Sequence, residues 1–291
     1  MDYFLLFLVV FLAYIQNVFI KQSDKKTKEA ENAQVIFLFF EVLSATLFLG
    51  CLYAFQFTFS WTTFFFAMGF ACSFSICIFS SYMAIKTGSL SLSALISSFS
   101  IIIPALYSSI VLDEQFTKFG IIGLILLFIS LVLVNTIEKD KKFNFKWLIF
   151  VTLSFLGNGI GSTLQKVHQN RLTEQGMQAN GYAVCFQFFA MLAVTLIFGA
   201  MLIMQQPKEF KVLLKKSSVY ASATGIANAS CNILMLLLAT ALPGVVLYPS
   251  VSAGLIVFTF ITAIILYKER FTKWQYFGYV CGIASVILLS I

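Results

Sequence analysis

Runs of about 20 apolar residues, the length that crosses a hydrocarbon core roughly 30 Å thick, follow one another along nearly the whole chain. Short polar stretches separate them and predict ten spans, at about 3–20, 33–54, 62–85, 89–112, 116–137, 147–167, 178–204, 217–240, 244–267 and 271–290. The expected fold class is an all-α membrane protein with ten transmembrane helices. The first run lacks a basic leader and a small-residue cleavage site, so it reads as a retained helix rather than a signal peptide.

The pattern is duplicated. Asp-Glu-Gln-Phe-Thr-Lys-Phe-Gly-Ile-Ile-Gly at 113–123 returns as Lys-Glu-Arg-Phe-Thr-Lys-Trp-Gln-Tyr-Phe-Gly at 268–278. Glu114, Phe116, Thr117, Lys118 and Gly123 match Glu269, Phe271, Thr272, Lys273 and Gly278 at one offset of 155 residues. The same offset carries Ala84, Ser97, Ile110 and Ser130 onto Ala239, Ser252, Ile265 and Ser285, so the repeat reaches into the flanking spans. It divides the chain into a first repeat at 1–137, a linker at 138–146 rich in lysine, and a second repeat at 147–291. Because each half holds five spans, an odd number, the second copy must enter the membrane opposite to the first. That is the inverted-repeat arrangement common among transporters, from which alternating access follows.

Composition agrees and narrows the classes. Hydrophobic residues make up 60% of the 291 positions and charged ones 11%, against about 25% in soluble domains, which leaves no room for a water-soluble domain. Of the 19 Lys and Arg, sixteen fall in the loops after spans 1, 3, 5, 7 and 9, and three (Lys118, Lys166, Arg171) on the other side. The positive-inside rule then places both termini outside. The net charge of +7 is thereby a topology signal and not a nucleic-acid surface. The 34 Phe, with abundant Ile and Lys, suggest AT-rich coding and a bacterial plasma membrane. The six cysteines lie in apolar runs without a Cys-x-x-Cys pair, and the one histidine, His168, reads as a solvated residue at a helix end. Metal ligation, cofactors and disulfides are therefore not expected.

Small residues recur at helix-packing spacing, at Gly69, Ser73 and Cys77 and again at Gly225 and Ala229. Gly157-Asn158-Gly159-Ile160-Gly161 superficially resembles a phosphate-binding loop, but it follows no strand and opens no soluble helix. It is expected to be a closely packed helix segment, with Asn158 where helices or substrate approach. Pro104, Pro243 and Pro249 mark expected bends.

With these features the repeat resembles the EamA module of the drug/metabolite transporter superfamily, over essentially the whole chain. The resemblance rests on Ala84, Gly88, Pro104, Glu114 and Gly123 in the first half and Ala239, Pro243, Glu269-Arg270 and Gly278 in the second, with Lys21 and Lys166 closing the first helix of each. It implies a basket of ten helices around a cavity lined mainly by helices 1, 3, 4, 6, 8 and 9. Two features depart from it. Pro104 has Thr259 as its counterpart, and the charge count puts the termini outside whereas relatives are usually described with cytosolic ones.

Of the twelve acidic residues Glu41 alone lies inside a span. Eight residues in from Ala33, it sits roughly 12 Å along the helix, near the midplane. A carboxylate there costs on the order of 2.5–3.5 kcal/mol on the insertion scale, so Glu41 is the candidate for proton or cation coupling, with a structural hydrogen bond to another helix as the competing role. Substrate-binding candidates are the amides Gln16, Asn17, Asn158, Gln165, Asn228 and Asn232 and the aromatic walls Tyr82, Tyr107 and Tyr248; each taken singly also suits an interhelical hydrogen bond. Glu114 and Glu269 read as capping or loop-fixing residues.

These residues point to a secondary transporter, not an enzyme, exporting an amino acid or similar zwitterionic or neutral solute. The alternatives are a proton-coupled exporter of lipophilic cations and a lipid-handling protein. The expected partners are a small-molecule substrate, the lipid bilayer and protons, in a monomer or homodimer; no nucleic acid is expected.

Overall fold

The computed structural model describes residues 2–27, 33–56, 58–87, 96, 99–135, 145–205, 210–265 and 272–289. Most of the expected linker, together with Gly88, Glu269 and Arg270, lies outside them. Among the described residues the chain is 92% helical, without strands. The helices are α1 (Asp2–Thr27), α2 (Ala33–Phe55), α3 (Trp61–Thr87), α4 (Ile102–Val111), α5 (Lys118–Asn135), α6 (Phe145–Glu174), α7 (Ala183–Gln205), α8 (Phe210–Ala241), α9 (Gly244–Ile265) and α10 (Lys273–Leu289). Six of them, α1, α2, α3, α6, α7 and α8, are long and apolar enough to cross a membrane. Shorter apolar helices span Phe99–Val111, Lys118–Leu133 and Gly244–Phe258. Large apolar side chains such as Phe4, Phe55, Ile125, Val219 and Ile287 stand exposed on these helices, a surface that lipid solvates and water does not.

The repeated Phe-Thr-Lys motif marks helix starts. Thr117 Oγ1 accepts the Gly120 amide at 2.9 Å and so caps α5. Its counterpart Thr272 opens α10 with a capping box, in which Gln275 Oε1 accepts the Thr272 amide at 2.9 Å. The residue before this loop bends back differently: Asp113 takes a left-handed φ of 53°, and the Glu114 amide returns to the Ser108 carbonyl at 3.1 Å. The prolines depart from expectation. Pro104 lies in the first turn of α4, just after a 3-10 turn at Phe99–Ile101, and Pro243 precedes α9, so neither interrupts an α-helix; Pro249 alone is inside one.

Helices of the chain gather into two compact units, and both draw on the two sequence halves. Unit 1 holds Tyr3–Cys72 and His168–Thr240; unit 2 holds Ser73–Val167 and Ala241–Ile291. The division therefore falls inside α3 and α6.

In unit 1, α2 runs antiparallel to α7. Phe39 meets Gly199, the Thr46 and Thr195 hydroxyls lie 2.9 Å apart, and Gly50 meets Phe188. Tyr53 stacks on Phe188 with ring centroids 5.1 Å apart, and Phe189 forms T-shaped pairs with Phe59 and Phe64.

In unit 2, α5 runs antiparallel to α10, with Gly123 against Leu288 and Leu289 and Ser130 against Gly282. There α4 opposes α9 in the same sense: Ser108 meets Gly244, while Phe99 and Ile101 pack on the cluster of Leu127, Leu131, Ala253 and Leu289. Each of these pairs joins a helix to the one that holds its place in the other sequence half.

Candidate functional sites

In unit 2 four polar residues of α6 fall at every fourth position, Ser154, Asn158, Ser162 and Lys166, a spacing that keeps them along one slowly drifting stripe. Each step of the stripe engages a different element. Ser154 Oγ lies 2.5 Å from Ser81 Oγ on α3. Asn158 Nδ2 donates to Ser100 Oγ at 2.6 Å. The Ser162 carbonyl accepts the Tyr248 hydroxyl of α9 at 2.9 Å. Lys166 Nζ lies 2.9 Å from Glu114 Oε1 and donates to the Leu242 carbonyl at 3.2 Å.

The glycines of the stripe explain its form. A Cβ on Gly157 would stand 2.7 Å from the Ser73 carbonyl oxygen and 2.9 Å from the Cys77 amide nitrogen, so α3 and α6 touch backbone to backbone. Gly159 abuts Ile103 just ahead of Pro104. Between these two contacts Asn158 emerges exposed. The segment is thus a packing motif, which is why a glycine-rich spelling occurs without a strand before it.

Lys166 corrects the sequence reading. Placed there at a helix end, it is instead buried inside α6, which runs on for two more turns to Glu174. Glu114 fixes a loop, and it does so by serving two partners: one oxygen pairs with Lys166, and the other accepts the Gly244 amide at 2.5 Å. Its carboxylate sits on the N-terminus of α9, where the helix dipole favours negative charge.

Unit 1 holds the second site. Glu41 of α2 is buried, and Asn228 Nδ2 of α8 donates to its Oε1 at 3.2 Å. Asn232 Nδ2 donates in turn to Asn228 Oδ1 at 2.6 Å and to the Asn228 carbonyl at 3.0 Å. The i, i+4 pair of amides is therefore a chain ending on the carboxylate. Gly225, one turn before Asn228, lets the backbones approach: a Cβ there would overlap the Glu41 carbonyl oxygen and Ser44 Oγ. Ser44 Oγ bridges the crossing, with the Glu41 carbonyl at 2.9 Å and the Ser222 carbonyl at 3.3 Å.

The remaining candidates are dispersed. Gln16 lies beside Cys231 in unit 1, and Asn17 is exposed on α1. In unit 2 Gln165 is buried and Tyr107 half-buried, while the Tyr82 side chain lies outside the described ones.

His168 is the second correction. It is not solvated but wholly buried in unit 1, its Nε2 3.0 Å from Thr63 Oγ1 and its ring 4.7 Å from that of Phe186. The run Lys166-Val167-His168-Gln169-Asn170-Arg171 looks like a helix end because it is polar, yet α6 continues through it with His168 and Gln169 turned inward.

No family model and no curated protein matches the chain. A crystal structure described only as that of a protein is similar over 100% of this chain and 98% of its own, with a TM-score of 0.71 and 11% identity. At that identity the likeness is one of fold alone.

Proposed function

We propose that the chain is a secondary active transporter of the EamA type, built from two inverted five-helix repeats and exporting an amino acid or similar zwitterionic or neutral solute by alternating access. The observation that carries this reading is the antiparallel pairing of α2 with α7, α4 with α9 and α5 with α10. Two copies of one unit inserted in opposite senses would place equivalent helices in that relation, as inverted-repeat carriers do. Two sets of polar side chains inside apolar helices, one along α6 and one at Glu41, supply places where a small solute could replace hydrogen bonds lost on leaving water.

The test is counterflow in proteoliposomes with labelled amino acids, paired with a thermal-unfolding screen of the purified protein. A solute present at about 100 times its dissociation constant should add roughly 2.7 kcal/mol to the folded state. Saturable exchange of a zwitterion with a matching thermal shift supports the reading. Exchange of no solute, with shifts only for lipids, overturns it.

Glu41 favours a second reading, proton-coupled export of lipophilic cations. Among the described residues its side chain has an amide donor and no ion pair, so it could hand a proton to a passing cation or solute. Glu41→Gln keeps the Asn228 contact and removes the exchangeable charge. Transport driven by a pH gradient should be lost in this variant while solute exchange at equal pH persists. Unchanged pH-driven uptake would remove Glu41 from coupling.

A further inference from the structure

The hydrogen-bond chain on Glu41 has a direction, and a backbone group sets it. Asn232 Nδ2 donates to the Asn228 carbonyl at 3.0 Å. A carbonyl oxygen can only accept, so the end of the Asn232 amide that faces Asn228 must be its nitrogen. That nitrogen also lies 2.6 Å from the Asn228 side chain, and a donor there requires Asn228 Oδ1 opposite it. With its oxygen so engaged, Asn228 presents Nδ2 to Glu41, 3.2 Å from Oε1. The buried carboxyl group is thereby offered a donor, which suits a carboxylate, since a carboxylate only accepts.

Turned over, the Asn228 amide would set Oδ1 on Glu41, and only a protonated carboxyl group could meet that oxygen with a hydrogen bond. It would also set Nδ2 against Asn232 Nδ2, donor against donor. Asn232 thus resists the orientation that suits the acid.

Among the described residues no second charge faces Glu41. It is the only charged residue of α2, and α7, which packs along α2, has none. Cys51 and Tyr53 follow it by ten residues or more, and Cys185 of α7 sits beside Tyr53. Gly225 of α8 touches the Glu41 backbone, and the lysines of that helix, Lys211, Lys215 and Lys216, precede Gly225 by about 13 Å of rise or more. Tyr220 and Cys231 of α8 engage Phe19 and the Val9 carbonyl of α1. Between those two contacts α1 carries one titratable group, Tyr14, whose ring packs on Phe11 of its own helix.

We infer that Asn232 is a positioning residue for Glu41: it holds the Asn228 amide with its nitrogen towards the carboxyl group, and so sets the pH at which Glu41 takes up a proton. Its bearing on transport rests on the second reading above, in which Glu41 couples proton movement to export, whereas the proton affinity of Glu41 can be read without transport.

The readout is the carboxyl stretch of Glu41 itself. Full-length protein in lipid nanodiscs is titrated by infrared difference spectroscopy, and the Glu41 band is the one absent from Glu41→Gln. Asn228→Leu takes away the donor that suits the carboxylate and should raise the protonation midpoint by about one pH unit, a tenfold gain in proton affinity. Asn232→Leu leaves that donor in place but unanchored, and should raise the midpoint by about half a unit, roughly threefold. Adding Asn232→Leu to Asn228→Leu should raise it no further, because Asn232 acts only through Asn228. Asn232→Ala serves if the leucine variant does not fold. Ser230→Ala, which removes a hydroxyl bonded at 2.9 Å to the Ile226 carbonyl of the same helix, should leave the midpoint where it is.

A midpoint unmoved by loss of the Asn232 amide, or moved as far by Ser230→Ala, overturns the assignment, and so does a further rise in the double variant. The pH dependence of uptake should move upward together with the midpoint. A midpoint that moves while that pH dependence stays leaves Asn232 in its role and removes Glu41 from coupling.

Discussion

Lys166→Met should be the most damaging single substitution in unit 2, lowering stability by about 3–5 kcal/mol. The cost comes less from the ion pair lost than from what stays behind. Glu114 retains a carboxylate only 19% exposed, still seated on the Gly244 amide but deprived of its cation. Adding Glu114→Gln removes the stranded charge and keeps an acceptor for Gly244, so the double variant should recover to within about 1 kcal/mol of the parent. Unfolding of the four proteins in detergent closes a double-mutant cycle. Strictly additive losses would mean that Lys166 and Glu114 do not depend on each other, and that the loop before α5 is held by other means.

Gly225→Ala should be the comparable loss in unit 1. Its methyl group would fall on the Glu41 carbonyl and on Ser44 Oγ, so α8 must back away from α2. Overpacking of this kind costs about 1–3 kcal/mol. The contact that suffers first is the 3.2 Å hydrogen bond from Asn228 to Glu41, one turn away. Stability and pH-driven transport should therefore fall together. Gly181→Ala is the control, since nothing lies within 4 Å of a Cβ there. It should change neither property, and a Gly225→Ala protein as stable as that control would mean that α2 and α8 do not need their close approach.

Part of this architecture is legible in the order of the residues. Apolar run length predicts the helices, and the repeated Phe-Thr-Lys predicts corresponding places in two halves, which are the N-caps at Thr117 and Thr272. Glu41 stands out because a carboxylate inside an apolar run needs a reason. What partners it does not. Asn228 is 187 residues away in the chain, and nothing in the spacing of either residue points to the other.

The same holds for Lys166 and His168, whose polar neighbourhood imitates the end of a span. Local composition cannot tell a helix that is leaving the membrane from one that carries polar side chains into a packed interior. The compact units, too, cut across the sequence halves, because α3 and α6 each pass from one unit into the other.

The sequence by itself determined the helical, apolar character of the chain and the caps at Thr117 and Thr272, since these depend on apolar length and on contacts within a few residues. Tertiary structure alone decided which face of each helix turns inward and which polar groups meet. A helix that is apolar on every side has no amphipathic stripe to announce its inner face. In lipid the choice falls to small residues and hydrogen bonds between helices, and those are set by partners far apart in the chain.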